Sequence, residues 1–239
     1  EVTRVAPSPP IASADALRRP GIHLVLSTGD RWPGAAHLLT TAERARADAF
    51  RHEQSRGEFV VGRALVRRLV AAATGLPARE IPIVQDCLRC GSDRHGKPRV
   101  GVVGAPQFSV SHSGGWVLVG VSQDGALGVD IETVSDRPSL LDLAPSVLSA
   151  TESEVLASLP RTEAGSEATR LRWFTTRWCL KEAVVKRDGD GLAREMRDVE
   201  VSAETFFPLD APELPIAVVG AVAGHPPLGP LSWWSVPAD

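Results

Sequence analysis

The sequence contains few cysteines, no long apolar run and no excess of positive charge. Three cysteines in 239 residues are too few, and odd in number, for the disulfide scaffold of a small secreted protein. No apolar run reaches membrane-spanning length, and the first residues lack the apolar core of a signal peptide. We therefore expect a soluble, cytoplasmic protein that has no membrane partner.

The charges are nearly balanced, with 26 Lys and Arg residues against 29 Asp and Glu residues and a formal net charge of −3. A nucleic-acid-binding protein would show a strong basic excess, so we expect no nucleic-acid partner. Hydrophobic residues make up 43% of the chain. This content is ample for a real core, in one large domain or two small ones.

Turn-forming residues divide the chain into three parts. Residues 1–20 contain several prolines among small residues and predict a loosely held arm. Gln123-Asp124-Gly125 predicts a turn between an N-terminal part, 21–124, and a C-terminal part, 125–239. Both parts contain predicted strands and helices of comparable size, so the expected fold class is α/β (α+β).

Hydrophobic periodicity and turn residues locate the individual elements. Helices are predicted from Thr40 or Thr41 onward and at 55–73, 149–159 and 167–188. Strands are predicted at 23–27, 81–84, 128–132, 199–202, 216–222 and 231–236. Two β-rich runs on either side of Ser113-Gly114-Gly115 predict a hairpin, and its second strand is apolar on both faces and therefore buried.

Ser111 and His112 lie at the turn end of this hairpin, where we expect both side chains to be exposed at a rim. A serine nucleophile with a histidine base is not indicated, because the Gly-x-Ser-x-Gly elbow is absent around them. Two interpretations stay open: a histidine that only hydrogen-bonds within the turn, or a histidine and a hydroxyl that bind phosphate.

Cys87 and Cys90 are followed by His95, which raises the question of a zinc site. A zinc knuckle would need a fourth ligand about four residues after the histidine, where the chain has Val100, and no second cysteine pair exists. We therefore expect reduced thiols or an adventitious disulfide rather than structural zinc.

The stretch Gly128–Glu132 alternates acidic and apolar residues. On a strand, Asp130 and Glu132 point to one face while Val129 and Ile131 point to the other. Two carboxylates therefore share a small surface. Taken alone, such a pair is more often a solvated strand face than a functional site.

The predicted helix at 167–188 places Glu182 and Lys186 on one face, with Lys181 one step round. If this helix packs across the strand, Glu182 becomes a third carboxylate beside Asp130 and Glu132. Three carboxylates within about 4 Å would repel by roughly 4 kcal/mol per pair at an effective dielectric near 20, so the cluster would need a cation. The alternative is a common surface pair of Glu and Lys worth about 0.2–0.5 kcal/mol.

Arginines are concentrated in the two predicted helices near the N-terminus. They are Arg44, Arg46, Arg51, Arg56, Arg63, Arg67 and Arg68. Acidic residues in the same stretch are fewer, which leaves a local positive excess. A solvated helix surface accounts for most of these arginines, and a phosphate site would account for two or three.

Four segments carry, in the same order, the signatures of a known family. They are Gly96-Lys97-Pro98, Phe108–Ser113, Gly128–Glu132 and Trp178–Lys186. With these segments and the helix at 50–67, the chain resembles the Sfp-type 4′-phosphopantetheinyl transferases over about residues 40–192. Any one motif would be weak, whereas four in order make coincidence very improbable.

The resemblance implies a fold and a reaction. The fold would be two similar α/β subdomains in a pseudo-dimeric monomer, with coenzyme A in the cleft between them. The reaction would transfer the phosphopantetheine arm of coenzyme A to a serine of an acyl or peptidyl carrier protein and release adenosine 3′,5′-bisphosphate.

The resemblance also implies roles for single residues. Asp130, Glu132 and Glu182 would hold Mg²⁺, with Mn²⁺ as an alternative, and all-carboxylate oxygen ligands suit such a hard cation. Glu182 and Lys186 would be the catalytic residues, with Lys186 on the pyrophosphate and either Glu182 or a metal-bound water as the base. Contacts with coenzyme A are implied for Arg46, Lys97, Pro98, Ser111, His112, Lys181 and Lys186.

Two other functions would also use parts of this pattern. A metal-dependent phosphodiester hydrolase or nuclease would also use Asp-x-Glu with a later Glu and Lys, but the acidic balance and the adjacency of Lys181 and Glu182 in a helix disfavour it. A module that binds coenzyme A or a carrier without chemistry has little use for three clustered carboxylates. The expected partner is a carrier protein of a fatty-acid, polyketide or nonribosomal peptide system.

Overall fold

The structure is a computed structural model that describes residues 17–30, 32–85, 91–92, 96–161, 164–189, 191, 194–201, 206–209, 218–224 and 230–234. The strands are β1 Ile22–Thr28, β2 Ile83–Gln85, β3 Pro98–Val100, β4 Gln107–Ser113, β5 Trp116–Ser122, β6 Gly128–Thr133, β7 Phe206–Leu209, β8 Val218–Ala223 and β9 Leu231–Trp234. The α-helices are α1 Thr41–Asp48, α2 Glu53–Thr74, α3 Ala144–Val147, α4 Ala150–Ser158 and α5 Ser166–Asp188. Among the described helices, none is both long and apolar enough to cross a membrane.

Local sequence signals explain where the principal helices begin and end. Thr40 and Glu43 form a capping box at the start of α1, in which each side chain bonds the backbone amide of the other residue. The long helix α2 ends at Gly75, whose left-handed φ of 79° is freely available only to glycine. Helix α5 ends in the same way at Gly189, with φ 78°.

A four-stranded sheet has the order β4-β5-β1-β9. Strands β4, β5 and β1 pair antiparallel, whereas β9 pairs parallel to β1, with Ile22 opposite Leu231. The last described strand of the chain therefore completes the sheet that the first described strand began. We call this sheet the first sheet.

A second sheet has the order β6-β8-β7 and is antiparallel throughout. Helix α5 packs on one face of this sheet and contacts both β6 and β8. Strands β2 and β3 form a separate antiparallel pair.

The molecule has four layers: α2, the first sheet, the second sheet and α5. Helix α2 packs on β5 through residues such as Leu65 and Val119. Between the two sheets, Leu24 and Leu118 of the first meet Val129 of the second in a buried cluster. Strand β5 is thus covered on both faces, as its apolar sequence predicted. At one edge of this interface β4 lies beside β6.

The α/β fold and most predicted elements are confirmed, including β1, α1, α2, the β4–β5 hairpin, α4 and α5. The strand predicted at 199–202 is wrong in its described part, because Met196–Asp198 form a 3₁₀ turn that Val199 terminates without strand pairing. Strands β3 and β7 were not predicted. The arm through residue 16 and the residues Cys87, Cys90 and His95 lie outside the described part.

The two-subdomain division at residue 124 stays a prediction. Strand β9 comes from the C-terminal part and pairs with the sheet of the N-terminal part, so any division of the chain there is crossed by this strand.

Candidate active site

Alternate serines of β4 bind the neighbouring edge of β6. The backbone amide of Val129 donates to Ser109 Oγ at 3.0 Å, and that of Thr133 donates to Ser113 Oγ at 3.1 Å. Because side chains alternate along a strand, every second residue of Phe-Ser-Val-Ser-His-Ser points toward β6. The serines thus satisfy amides that the second sheet leaves unpaired at its edge.

Asp130 lies at the centre of this seam between β4, β6 and α5. Its Oδ1 atom accepts from Ser111 Oγ at 2.7 Å and from Lys186 Nζ at 2.5 Å, and Lys186 also donates to Ser111 Oγ at 2.8 Å. Asp130 is only 2% exposed, and its second oxygen, Oδ2, is buried without a hydrogen-bond partner among the described residues. A buried carboxylate oxygen without a partner is costly, so this atom is suited to bind a ligand.

Two further carboxylates face the charge of Asp130. Burial, followed by the charge of Asp130, raises the pKa of Glu132 to about 7, although Ser113 Oγ donates to its Oε2 at 2.9 Å. The pKa of Glu182 on α5 is also raised, again by burial first and then by Asp130. The sequence prediction that α5 brings Glu182 near Asp130 and Glu132 therefore agrees with the electrostatics of the structure.

The donor set fits a divalent cation in its chemistry. The carboxylates supply hard oxygen ligands, burial and then the charge of Asp130 raise the pKa values of Glu132 and Glu182, and Asp130 Oδ2 has no hydrogen-bond partner among the described residues. Within the described residues, no three Asp, Glu, His or Cys side chains converge closely enough to hold a metal ion as they stand. The partly buried side chains of Glu132 and Glu182 would have to rotate toward Asp130 to complete a metal site.

Cys179 lies beneath this cluster on α5. It is fully buried, its thiol is 3.8 Å from the carbonyl oxygen of Val219, and burial first, then the charge of Asp130 and the close approach of that side chain, raise its pKa well above the ordinary value. The thiol is therefore protonated and acts as a packing group rather than a nucleophile.

Ser111 and His112 point in opposite directions. Ser111 is 5% exposed and faces β6, so its predicted exposure at a rim is wrong, whereas the His112 side chain is 51% exposed. The alternation of the strand separates the two adjacent side chains. His112 Nδ1 lies 3.1 Å from Glu58 Oε2 on α2.

Lys97 joins the end of α5 to the start of β6. Its ammonium donates to the carbonyl oxygens of Leu127 at 2.9 Å and Arg187 at 2.8 Å. Burial lowers the pKa of Lys97 to about 8, partly offset by Asp188. Pro98 begins β3 immediately after it. The structure thus gives Lys97 a structural contact that the sequence did not indicate.

Lys181 does not present its ammonium to a ligand. The side chain is fully buried, 2.7 Å from Glu152 Oε2 and 3.0 Å from the carbonyl oxygen of Met196. Glu152 is held in turn by a capping box with Ser149 at the start of α4. A coenzyme A contact predicted for Lys181 is therefore not supported, because one helical step from Glu182 turns its side chain into the core.

Some arginines make buried structural contacts, whereas others are exposed and can bind an anion. Arg67 is buried and makes two hydrogen bonds to Glu43, at 2.8 and 2.9 Å, as well as bonds to backbone carbonyls. The Arg46 guanidinium on α1 instead lies 5.2 Å above the Phe59 ring, where Arg63 lies at 5.7 Å. Arg46 is exposed and so remains available to an anion.

The sequence contains only three lysines, and the fold engages all of them. Each ammonium bonds at least one oxygen of another element, as described for Lys97, Lys181 and Lys186. The number of lysines could be read from the sequence, but the oxygen atoms that their ammonium groups bind could not. Glu58 and Glu152 were also missed, since both read as ordinary acidic residues of helices.

Comparison with known proteins identifies the family. A sequence profile of the 4′-phosphopantetheinyl transferase superfamily matches residues 126–207, which contain β6 and α5. The Synechocystis sp. protein slr0495, which is assigned to the 4′-phosphopantetheinyl transferases, is 30% identical over 185 residues, or 77% of this chain and 70% of that protein. The chain belongs to the 4′-phosphopantetheinyl transferase superfamily.

Two further 4′-phosphopantetheinyl transferases are similar. Psf-1 of Bacillus pumilus is 32% identical over 158 residues, which cover 65% of this chain and 60% of psf-1. Sfp of Bacillus subtilis is 25% identical over 156 residues, which cover 65% of this chain and 62% of Sfp. The chain thus spans 60–70% of the length of these three relatives. Members of the family transfer phosphopantetheine from coenzyme A to carrier proteins, and the predicted family and transferase class are confirmed.

Proposed function

We propose that this 4′-phosphopantetheinyl transferase uses Mg²⁺, or alternatively Mn²⁺, to move the phosphopantetheine group of coenzyme A onto a serine of an acyl or peptidyl carrier protein. The observation that carries this proposal is the buried Asp130, which binds Lys186 through one oxygen and leaves the other without a partner. The Lys186 ammonium and a carboxylate oxygen that can bind a metal ion thus lie side by side. A metal-bound pyrophosphate needs both kinds of group.

Asp130, Glu132 and Glu182 would hold the metal ion. When bound, the ion would neutralise charge on the pyrophosphate oxygens of coenzyme A. The raised pKa values of Glu132 and Glu182 support this assignment, because a cation would favour the ionised form of both side chains.

Lys186 supplies a positive charge that the fold holds in place. Its side chain is 31% exposed, and its ammonium is fixed by Asp130 and Ser111. The exposed part of the side chain lets the ammonium donate to a pyrophosphate oxygen without leaving Asp130, since an ammonium has three donors. Ser111 acts here by orienting Lys186 rather than by binding phosphate itself.

Glu182 is the proposed general base. The serine hydroxyl of the carrier would attack the phosphorus bonded to pantetheine, the bond from that phosphorus to the bridging oxygen would break, and adenosine 3′,5′-bisphosphate would leave. The serine proton would pass to the Glu182 carboxylate, which lies near Asp130 and Lys186.

Coenzyme A would be bound by the groups that remain available. His112 is half exposed beside the site strand and Arg46 is exposed on α1, so both can donate to phosphate oxygens. Lys97 and Pro98 would lie near coenzyme A without hydrogen-bonding its phosphates, because the Lys97 ammonium already donates to two carbonyl oxygens. The protein would act as a monomer on its carrier.

The test is the intact mass of an apo carrier after incubation with this protein, coenzyme A and Mg²⁺. We expect the carrier to gain one phosphopantetheine group, and a chelator to prevent the gain. Apo carriers from fatty-acid, polyketide and nonribosomal peptide systems are compared in parallel. No gain on any of them would contradict the proposal.

A matched pair of variants tests the site. Asp130→Asn should reduce transfer by several orders of magnitude, whereas Asp136→Asn, which alters an exposed aspartate beyond the end of β6, should not. Calorimetry provides a readout besides activity: Mg²⁺ should tighten coenzyme A binding to the wild type and not to Asp130→Asn. Metal-independent binding without transfer would favour the binding module, and hydrolysis of coenzyme A would favour the hydrolase.

A further inference from the structure

Glu58 is a buried carboxylate on the face of α2 that packs on the first sheet. It is 4% exposed, which is rare for a glutamate unless each oxygen has a partner. Oε1 accepts from the amide of Gly115 at 2.7 Å and from Gln54 Nε2 at 3.0 Å, and Oε2 lies 3.1 Å from His112 Nδ1. One carboxylate thus holds both the hairpin turn and the histidine that precedes it.

The turn between β4 and β5 is fixed from two sides. Gly114 and Gly115 have φ values of 59° and 88°, the left-handed region that a tight two-residue turn of this kind requires. The amide of Gly115 is bound by Glu58, and its carbonyl oxygen accepts from the amide of Gly29 at 2.9 Å. His112 therefore projects from a backbone that has little freedom.

The contact with Glu58 decides which edge of the His112 ring faces a ligand. His112 Nδ1 lies within ion-pair distance of Glu58 Oε2, and because a carboxylate can only accept, the contact is favourable when Nδ1 carries the hydrogen. The other nitrogen, Nε2, lies on the opposite edge of the ring, and the side chain is 51% exposed. When both ring nitrogens carry hydrogen, Nε2–H can donate to a phosphate oxygen while Nδ1 faces Glu58.

We propose that Glu58 is a positioning residue for coenzyme A: it orients His112 so that Nε2–H donates to a phosphate oxygen. The inference rests on the proposed function, in which His112 binds a phosphate of coenzyme A. Glu58 lies on α2, outside the cluster of Asp130, Glu132 and Glu182, and does not itself contact coenzyme A. Glu58 should affect the binding of coenzyme A and not the chemical step.

The first test is Glu58→Gln, which keeps an oxygen for the Gly115 amide but removes the negative charge beside His112. Loss of the negative charge that orients His112 should weaken its contact with the phosphate and raise the Kd and the KM for coenzyme A about tenfold, with kcat changed less than about twofold. The control is Glu53→Gln on the same helix, whose carboxylate is exposed and should be neutral to both. Wild-type affinity in Glu58→Gln would overturn the proposal.

A second test separates positioning from anchoring of the turn. In a His112→Ala background, Glu58→Gln should change the Kd for coenzyme A less than about twofold, because the residue through which it acts is gone. A full tenfold loss in that background would mean that Glu58 acts through Gly115 alone, and the proposal would be wrong. Calorimetric Kd values do not need transfer, so a failure of the carrier assay would overturn the proposed function without affecting this test.

A third measurement uses the unaltered protein, in case Glu58→Gln does not fold. Long-range ¹H–¹⁵N spectra of the imidazole rings report which nitrogen carries hydrogen, and the His112 signals are those lost in His112→Ala. We expect Nδ1 of His112 to be protonated without ligand and both nitrogens to be protonated with coenzyme A bound. A ring with hydrogen only on Nε2 would contradict the role of Glu58.

Discussion

The backbone of Gly128 touches the backbone of Ala183, so that a Cβ atom at position 128 would overlap the Ala183 carbonyl oxygen and the Arg187 amide nitrogen. This contact is where α5 crosses β6. Because the glycine has no side chain, the helix approaches the strand closely enough for Lys186 to reach Asp130. The distance between the two elements is therefore determined by a residue that performs no chemistry.

Gly128→Ala should displace α5 from β6. We expect a loss of about 1–3 kcal/mol in the free energy of unfolding, because overpacked interfaces cost about this much, together with a large loss of transfer activity. Urea denaturation and the carrier mass assay would measure the two effects. Gly101→Ala is the control, since its Cβ would meet a Val84 methyl group at 3.3 Å, a Pro82 oxygen at 3.4 Å and the Pro82 Cβ at 3.6 Å, without the overlap found at position 128. Unchanged stability in Gly128→Ala would contradict the close packing.

Lys186→Met should destabilise the protein as well as inactivate it. The change leaves the buried Asp130 carboxylate with only Ser111 as a donor, which should cost about 2 kcal/mol or more. The double variant Asp130→Asn with Lys186→Met removes both charges and should recover most of the stability. It should recover none of the activity. Activity in the double variant would show that this ion pair is not part of the catalytic site.

Lys97 should make the free energy of unfolding increase with pH in the alkaline range. Its pKa in the native protein is lowered to about 8 from an ordinary value of 10.5, chiefly by burial. Between these two values the unfolded chain binds more protons than the native one, so the free energy of unfolding should rise as pH increases from 8 toward 10. The measurement is urea denaturation at several pH values, with Lys97→Met as reference. The stability of wild type relative to this variant should rise over that window, and a flat difference would refute the lowered pKa.

Lys181→Met should affect stability without affecting coenzyme A. The change leaves the partly buried Glu152 without its ammonium partner, so we expect destabilisation of about 2 kcal/mol. The Kd for coenzyme A, measured by calorimetry below the unfolding temperature, should remain within about twofold of wild type. A tenfold weaker Kd would restore the coenzyme A contact that the family resemblance implied. Adding Glu152→Gln should recover part of the lost stability.

Residues with local signals made the helices and the hairpin predictable. Gly75 ends α2, Thr40 and Glu43 cap α1, and the alternation in Gly128–Glu132 placed the two acidic residues on one face of a strand. These signals work because they act within a few residues of the backbone that they shape.

The sequence did not reveal interactions between distant segments. Nothing near Leu231 indicates a parallel partner at Ile22, and nothing near Lys181 indicates a carboxylate at Glu152. Ser111 was expected at an exposed rim, but the burial of a strand residue depends on which element covers its face. Here that element is β6, which follows a separate turn.

The engagement of all three lysines makes amine chemistry a selective probe of this protein. Reductive methylation or acylation would find no lysine on a freely exposed surface, since Lys181 is fully buried and Lys186 is only 31% exposed. Protection of Lys186 from modification when coenzyme A is bound would report on occupancy of the site. Surface attachment, cross-linking and isopeptide conjugation that need a solvent-facing lysine would require one to be introduced, for example in place of an exposed arginine.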